Sequence, residues 1–171
     1  MGVRYIYLVD TEQVFIALGS NLEPRREKLA AARRLLQGIS CGEWQESSIR
    51  ETEPVGPPGQ GPYLNQVVSF QSDWTAHRIL YFCKGVEIVL GRKPRGHWQS
   101  REIDLDLLYC GSQIHKAPNL NLPHLRIAER RFVLEPLCDI APDWQDPRTH
   151  LSTRAMLDRL CAPSPFSPEA S

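Results

Sequence analysis

Residues 101–109, Arg-Glu-Ile-Asp-Leu-Asp-Leu-Leu-Tyr, carry the pattern that most restricts how this chain can fold. Read with the period of two that a pleated strand imposes, Ile103, Leu105, Leu107 and Tyr109 share one face, and Glu102, Asp104, Asp106 and Leu108 share the other. The apolar side must pack on a core, which leaves the acidic side to face water, a ligand or a cation. At about 3.3 Å rise per residue, the Cα atoms of Asp104 and Asp106 lie roughly 6.6 Å apart with their side chains pointing the same way. Two bare carboxylates at that spacing repel by on the order of 2 to 3 kcal/mol at an effective dielectric of about 20, so the pair calls for a cation. Mg²⁺ suits such a pair, because it takes one or two carboxylates and fills its other positions with water and substrate phosphates. Arg101 lies five residues before Asp106 and reaches the same region. A lone D-x-D is also compatible with a solvated strand face; an arginine and two acids above so regular a floor favour a metal-phosphate site.

A length of 171 residues suits one domain with a substantial core. The formal net charge is zero, which removes the basic field that sequence-independent nucleic-acid binding needs, so nucleic acid is not an expected partner. Lysine occurs only at positions 28, 84, 93 and 116, and arginine supplies every other basic side chain; its planar fork grips phosphate oxygens in pairs. The five cysteines, at 41, 83, 110, 138 and 161, form no C-x-x-C or Cys/His cluster, the pattern of a reduced, cytoplasmic protein. No apolar run approaches the roughly 20 residues of a membrane helix, and residues 1–11 have neither a basic n-region nor an adequate apolar one. Neither membrane nor export is expected.

Residues 1–12 read as a leader with no assigned chemistry, 13–162 as one domain, and 163–171 as a disordered tail. Residues 14–18 are apolar on both faces and end in Gly19-Ser20-Asn21, a buried central strand running into a turn. A helix follows, with Pro24 in its first turn, Leu29, Ala32 and Leu36 at helical spacing and Gly38 at its end. Its polar face, Arg25, Arg26, Arg33 and Arg34, reads as solvated. A second strand over 44–50 leads to residues 51–62, whose four prolines and three glycines are more than a hairpin turn needs and suggest a functional loop. The strand over 63–71 sets Tyr63, Asn65 and Val67 on one face. Residues 75–90 form the second main helix, capped by Asp73 or Thr75 and ended by Gly91. The basic segment 92–101 enters the acidic strand directly and reads as a lid over a polyphosphate or as a solvated loop, with Trp98 favouring the lid. Further on come a hairpin turn at 110–112 into a short strand over 113–115, Arg126 and Arg130 at helical spacing, an apolar stretch over 133–140 and a short helix over 152–160.

Taken in order, these pieces resemble the family of 6-hydroxymethyl-7,8-dihydropterin pyrophosphokinases. The matching residues are Ala17-Leu-Gly-Ser-Asn-Leu22, Thr52-x-Pro54-Val-Gly56, Tyr63-Leu-Asn65, Glu87 with Gly91-Arg92, Trp98-x-x-Arg101-x-x-Asp-Leu-Asp106, Pro123-His124, Arg130-x-Phe132 and Pro136-Leu137. The resemblance implies a ferredoxin-like α+β domain, an antiparallel sheet flanked by helices, working as a monomer. It implies that ATP, as co-substrate, gives its terminal two phosphates as one unit to the pterin hydroxymethyl group and leaves as AMP, in folate synthesis. By position, Asp104 and Asp106 would hold two Mg²⁺ ions. Arg92, Trp98 and Arg101 would belong to a closing loop, with Arg92 and Arg101 neutralising phosphate charge, while His124 and Arg130 would bind ATP. Tyr63 and Phe132 would sandwich the pterin ring; Thr52, Asn65 and the backbone at Val55 and Gly56 would take its polar edge; Glu87 would stand behind the metals. A flat, polar-edged ring does want aromatic faces and an amide at its rim.

Some positions depart from that pattern. Asn119 and Leu125 stand where the family can carry an arginine and an aromatic that assist ATP binding, with Lys116 a possible substitute for the first, and Glu53 stands where proline is common. Another Mg²⁺-dependent phosphate-transferring enzyme, or a pterin- or nucleotide-binding module without turnover, would share many of these features. The products formed separate the three.

Overall fold

The run that is apolar on both faces becomes the central strand β1 (Glu12–Ser20), with β4 (Tyr63–Ser72) antiparallel on one side and β5 (Asp104–Cys110) antiparallel on the other. The structure, a computed structural model, describes residues 10–54, 58–94 and 99–162; of the expected leader, 1–12, only the last three residues are described, with Glu12 already in β1, and the expected tail at 163–171 lies outside the described residues. Beyond β4 lie β2 (Trp44–Glu46) and β3 (Arg50–Thr52), which pair with it in succession. The one strand expected over 44–50 is therefore two. Ser47 causes the break: its hydroxyl, not its carbonyl, accepts the Val67 N–H at 3.0 Å, and the freed carbonyl accepts from Gln66 Nε2 at 2.9 Å.

Helix α1 (Arg25–Gln37) joins β1 to β2, and α2 (Ala76–Val89) joins β4 to β5, giving a β-α-β-β-β-α-β order, with the sheet in the sequence β2-β4-β1-β5 and β3 also paired with β4. Both helices cover the same face, where Leu29, Leu36, Ile79 and Val86 pack on Ile16, Leu18, Phe70 and Leu105. Each leucine fully buried there contributes about 1.5–3 kcal/mol relative to exposure. Thr75 caps α2, its hydroxyl accepting the Arg78 N–H at 3.3 Å, which decides between the two expected capping residues. Gly91, at φ 89°, turns the chain through a left-handed step that side chains avoid and returns the Arg92 N–H to the Glu87 carbonyl at 2.9 Å.

Two arginines of α1 are more than a solvated face. Arg33 donates to Gln66 Oε1 at 2.7 Å and pairs with Glu46, while Arg25 donates to the Pro62 carbonyl at 2.9 Å and pairs with Glu23 and Glu51. Their long stems reach across to the sheet and its loops, something a helical wheel does not display.

The strict alternation expected along the acidic strand fails at its end. Phe15 pairs with Tyr109 but Ile16 pairs with Leu107, so Leu108 is an unmatched residue in a β-bulge. Ile103, Leu105 and Leu107 keep the helix-covered face, whereas Tyr109 is carried to the opposite one, where it packs with Phe15 and Val67. That second face is covered over part of its width by α3 (Arg131–Ile140) and α4 (Thr153–Cys161). Trp144 completes an aromatic cluster there, its ring centroid 4.7 Å from that of Phe15 and 5.8 Å from that of Tyr109.

After β5, the strand expected over 113–115 is instead β6 (His115–Ala117), which pairs forward with β7 (Leu120–Leu122) as a separate ribbon. Arg126 and Arg130 do not share a helix face. Only a 3-10 turn, Ile127–Glu129, lies between them, and Arg130 has extended backbone before α3 begins.

Candidate active site

Strand register places two short rows across the uncovered part of the second face. Asn65, Gly19 and Asp104 are partners across β4, β1 and β5, and Val67, Ala17 and Asp106 form the next row. The central strand thus contributes its smallest residues between an amide on one side and carboxylates on the other. A side chain added at Gly19 would come within 3.4 Å of Asn65 Oδ1 and 3.8 Å of the Tyr63 ring, filling the floor.

Over this floor lies a cavity of about 260 Å³. One end is formed by Thr52, Tyr63, Asn65 and Phe132, the other by Arg101, Asp104, Asp106 and Arg130. Asn65 Nδ2 donates to Thr52 Oγ1 at 2.8 Å, and Tyr63 Oη donates to the Gln99 carbonyl at 3.5 Å, so amide, hydroxyl and ring are held together at the first end. A second cavity, of about 300 Å³, has apolar walls from Leu80, Leu107 and Leu120 and polar groups from Lys84, Asn121 and His124. The two cavities share Asp106, Arg126 and Arg130, so they meet at the acidic strand.

The carboxylates are not bare. Asp104 receives Arg92 Nη1 at 2.6 Å and Arg101 Nη1 at 2.5 Å; Asp106 receives Arg130 Nη1 at 3.0 Å, with His124 Nε2 at 3.9 Å. The repulsion expected from the D-x-D spacing is offset by guanidinium groups from three separate segments. Burial by itself would push the Asp104 carboxyl up, but the charges of Arg92 and Arg101 outweigh it and hold the group below the usual carboxylate range. Burial pushes the His124 imidazole down, Arg130 and Arg126 add to that effect, and the attraction of Asp106 does not reverse it. His124 Nδ1 accepts the Arg126 N–H at 3.3 Å, which leaves the ring proton on Nε2, the nitrogen nearer Asp106.

Behind this constellation stands Glu87, 2% exposed. One oxygen accepts the Leu105 N–H at 2.8 Å and Lys84 Nζ at 2.9 Å; the other pairs with Arg92 Nη1 at 2.5 Å. Since β5 is an edge strand, Glu87 and Lys84 satisfy backbone groups that no further strand would meet, and Glu87 in turn fixes the arginine that bridges to Asp104. Burial pushes the Glu87 carboxyl up, against the pull of Lys84 and Arg92.

Asn21, in the turn after β1, was not singled out by the sequence reading as a site residue, although it lies in one of the matching motifs. Its Oδ1 accepts the Arg101 N–H at 2.7 Å and its Nδ2 donates to the Gly61 carbonyl at 3.3 Å and Ser100 Oγ at 3.2 Å. It therefore ties both flanking segments to the central strand. Lys84 and Arg126 were missed too; the only signal for Lys84 is its position one turn before Glu87. The expected contributions of Val55, Gly56 and Trp98 lie outside the described residues.

Helices on one face of an antiparallel sheet, and on the other face a divided cleft with an aromatic end and an Asp/Arg centre, define a ferredoxin-like α+β enzyme domain. The chain belongs to the 7,8-dihydro-6-hydroxymethylpterin-pyrophosphokinase (HPPK) family, which it matches over residues 15–142. It is 33% identical over 137 residues to the 2-amino-4-hydroxy-6-hydroxymethyldihydropteridine pyrophosphokinase of Pseudomonas aeruginosa, covering 80% of this chain and 85% of that one. To the protein of the same name from Porphyromonas gingivalis it is 38% identical over 138 residues, covering 78% of this chain and 93% of the relative. Among solved structures it is similar to wild-type Plasmodium falciparum HPPK-DHPS, with a TM-score of 0.65 and 12% identity over 88% of this chain. It spans 45% of that longer chain, and the likeness is one of fold. The expected α+β, ferredoxin-like class holds.

Proposed function

We propose that the divided cleft transfers pyrophosphate from ATP to the hydroxymethyl group of 6-hydroxymethyl-7,8-dihydropterin, giving AMP and the pterin diphosphate in folate biosynthesis. The observation that carries this reading is the junction of the two cavities at Asp106 and Arg130 in a chain of the HPPK family. A ring bound against Tyr63 and Phe132, with its polar edge at Asn65 and Thr52, directs a substituent toward the carboxylates. A nucleotide in the second cavity, its base among Leu80, Leu107 and Leu120, brings its phosphates to the same place from the other side. The pterin hydroxyl oxygen then attacks the β-phosphorus, its proton passing to solvent, and the bond from that phosphorus to the oxygen that leaves with AMP breaks.

Little covalent work falls to the protein in such a transfer; its task is alignment and charge compensation. Arg92, Arg101 and Arg130 are the groups for it, each within reach of the carboxylates and free to exchange that contact for a phosphate oxygen. His124, held uncharged by its burial, can offer its Nε2 proton to the nucleotide without competing as a cation. Glu87 keeps Arg92 aimed at the junction.

The donor set fits Mg²⁺. Among the described residues no cluster of three or more acidic, histidine or cysteine side chains could hold a metal by itself, and two strand carboxylates completed by phosphate oxygens are what Mg²⁺ prefers. Asp104 and Asp106 would hold two such ions, which when bound supply Lewis-acid charge neutralisation at the phosphate oxygens. Action as a monomer is the expectation that the resemblance to the family carries. Five unpaired cysteines support a cytoplasmic setting, and among the described residues no helix is long and apolar enough to cross a membrane.

Incubation with ATP, Mg²⁺ and the reduced hydroxymethylpterin tests the proposal. AMP and pterin diphosphate should appear in equal amounts, and only with all three present. Release of ADP or free phosphate instead would overturn it.

A further inference from the structure

The family match ends at residue 142, yet the segment just beyond it reaches back to the wall of the nucleotide cavity. Arg148 Nη2 donates to two successive backbone carbonyls, those of Pro123 and, at 3.2 Å, His124. Arg148 lines neither cavity. Its own position is set by Asp146, a carboxylate only 4% exposed. Asp146 Oδ1 accepts the Arg148 N–H at 2.9 Å, the Thr149 N–H at 2.9 Å and the Thr149 hydroxyl at 3.2 Å, and Oδ2 accepts the Tyr109 hydroxyl at 3.1 Å. Tyr109 is anchored in β5, the strand that carries Asp104 and Asp106, and can reach Asp146 because the bulge at Leu108 turns it to this face.

We infer that Arg148, seated by Asp146 and Tyr109, is a positioning residue that fixes the His124 backbone and thereby aims the imidazole at the nucleotide cavity and Asp106. His124 is gripped from two sides: its N–H donates to the Leu108 carbonyl at 3.0 Å, and its carbonyl receives both Arg148 and the Ile127 N–H, the latter at 3.3 Å. With the backbone held at both ends of the residue, the ring has few orientations left, and the contact from the Arg126 N–H to Nδ1 selects one. The chain of contacts runs Tyr109, Asp146, Arg148, His124, so the strand bearing the carboxylates and the residue facing the nucleotide share one reference frame. Burial and the neighbouring Asp146 carboxylate both push the Tyr109 phenol up, so its donor proton stays in place throughout the neutral range. A merely structural staple between the C-terminal segment and the sheet would use the same hydrogen bonds, and the two roles differ in what their loss does to nucleotide binding.

The inference rests on the nucleotide reading of the second cavity, and the experiment separates the two. Arg148→Met, Arg148→Lys, His124→Ala and the His124→Ala/Arg148→Met double variant are compared by calorimetry with a non-hydrolysable ATP analogue plus Mg²⁺, and separately with the pterin. Arg148→Met should weaken analogue binding about tenfold, with pterin affinity and unfolding temperature nearly unchanged, and Arg148→Lys should restore part of the loss. On the His124→Ala background, the same Arg148 replacement should cost less than about twofold, because there is no ring left to aim. Full additivity, unchanged analogue affinity, or a parallel loss of both affinities with a fall in unfolding temperature would overturn the inference. Failure of the unaltered protein to bind the analogue counts against the nucleotide reading alone. In that case the imidazole NMR signals of His124 in the free protein decide: a shift in Arg148→Met supports positioning, and no shift overturns it. Should Arg148→Met fail to fold, Tyr109→Phe, which removes only the hydroxyl that donates to Asp146, should show the same pattern at smaller amplitude.

Discussion

Asp104 and Asp106 are two residues apart on one strand and keep different company. Asp104 is shared by two arginines, one of them fixed from behind by Glu87, whereas Asp106 meets Arg130 and the edge of His124. Replacing either by alanine should cut AMP formation by at least about a hundredfold, because in the proposed transfer each would supply part of the alignment and charge balance of the phosphates. Folding should survive, since the packing side of the strand is Ile103, Leu105 and Leu107, and no apolar volume is lost. Steady-state AMP release set beside thermal unfolding checks both halves, and near-normal turnover would show the acidic face to be solvated only. His124 gives a prediction in pH. Its folded-state pKa lies below the unfolded value, so the folded chain binds fewer protons there and stability rises with pH across that interval. The contribution is present above about pH 6.5, the ordinary histidine value, and is lost as pH falls through the lower folded value. Thermal unfolding followed from pH 7.5 down to pH 5 should therefore slope less in His124→Gln than in the unaltered protein.

At the scale of elements, the floor row of Asn65, Gly19 and Asp104 shows how a sheet makes room for a ligand. Gly19→Val gives β1 a residue that suits a strand, so unfolding temperature should hold or rise, while the new side chain occupies the space beside Asn65 and Tyr63. Pterin affinity should fall by roughly tenfold or more with little change in ATP-analogue binding, measured separately for each ligand. Equal losses for both ligands would place the ring elsewhere. The elements that could be read from sequence are those with a clean period or a decisive terminator: β1, α1 with Leu29, Ala32 and Leu36, and α2 between Thr75 and Gly91. Those that could not be read depend on partners distant in the chain. Nothing in the string Leu107-Leu108-Tyr109 announces a bulge, because the extra residue is defined by what Phe15 and Ile16 pair with. The split at Ser47 depends on a hydroxyl meeting Val67, and the ribbon of β6 and β7 on two three-residue strands choosing each other over β5. In the site, the carboxylates, Tyr63 and Asn65 were legible because one strand face displays them together. Their neutralisation was legible only in part: Arg101 lies close to Asp104 along the chain, but Arg92 and Arg130 converge on the carboxylates only after the chain has folded. Asn21 likewise reads as a turn residue until its two loops are in place.

For the whole molecule, the zero net charge conceals a local concentration of arginine at the cleft, balanced in the free protein by the carboxylates themselves. Mg²⁺ alone must displace those arginines without offering them another anion, whereas Mg²⁺ with a triphosphate replaces each contact it disrupts. Calorimetric titration should therefore find Mg²⁺ binding weak without nucleotide and at least about tenfold tighter with a non-hydrolysable analogue. Equal affinity in both titrations would remove the coupling. The coverage of the sheet has a wider consequence. One face is packed under α1 and α2, but the other is roofed by α3 and α4 over only part of its width, and Tyr63, Asn65, Asp104 and Asp106 occupy the remainder. In the proposed site, bound substrates would supply the missing part of that third layer, so the saturated protein would in effect be a larger folded body than the free one. At about a hundred times Kd a single ligand adds roughly 2.7 kcal/mol to unfolding, a rise of about 5 to 10 °C for a chain of this size. Where turnover by proteases follows the open population, the lifetime of this chain should then depend in part on its metabolite supply, and starvation of either substrate should shorten it without any change in synthesis.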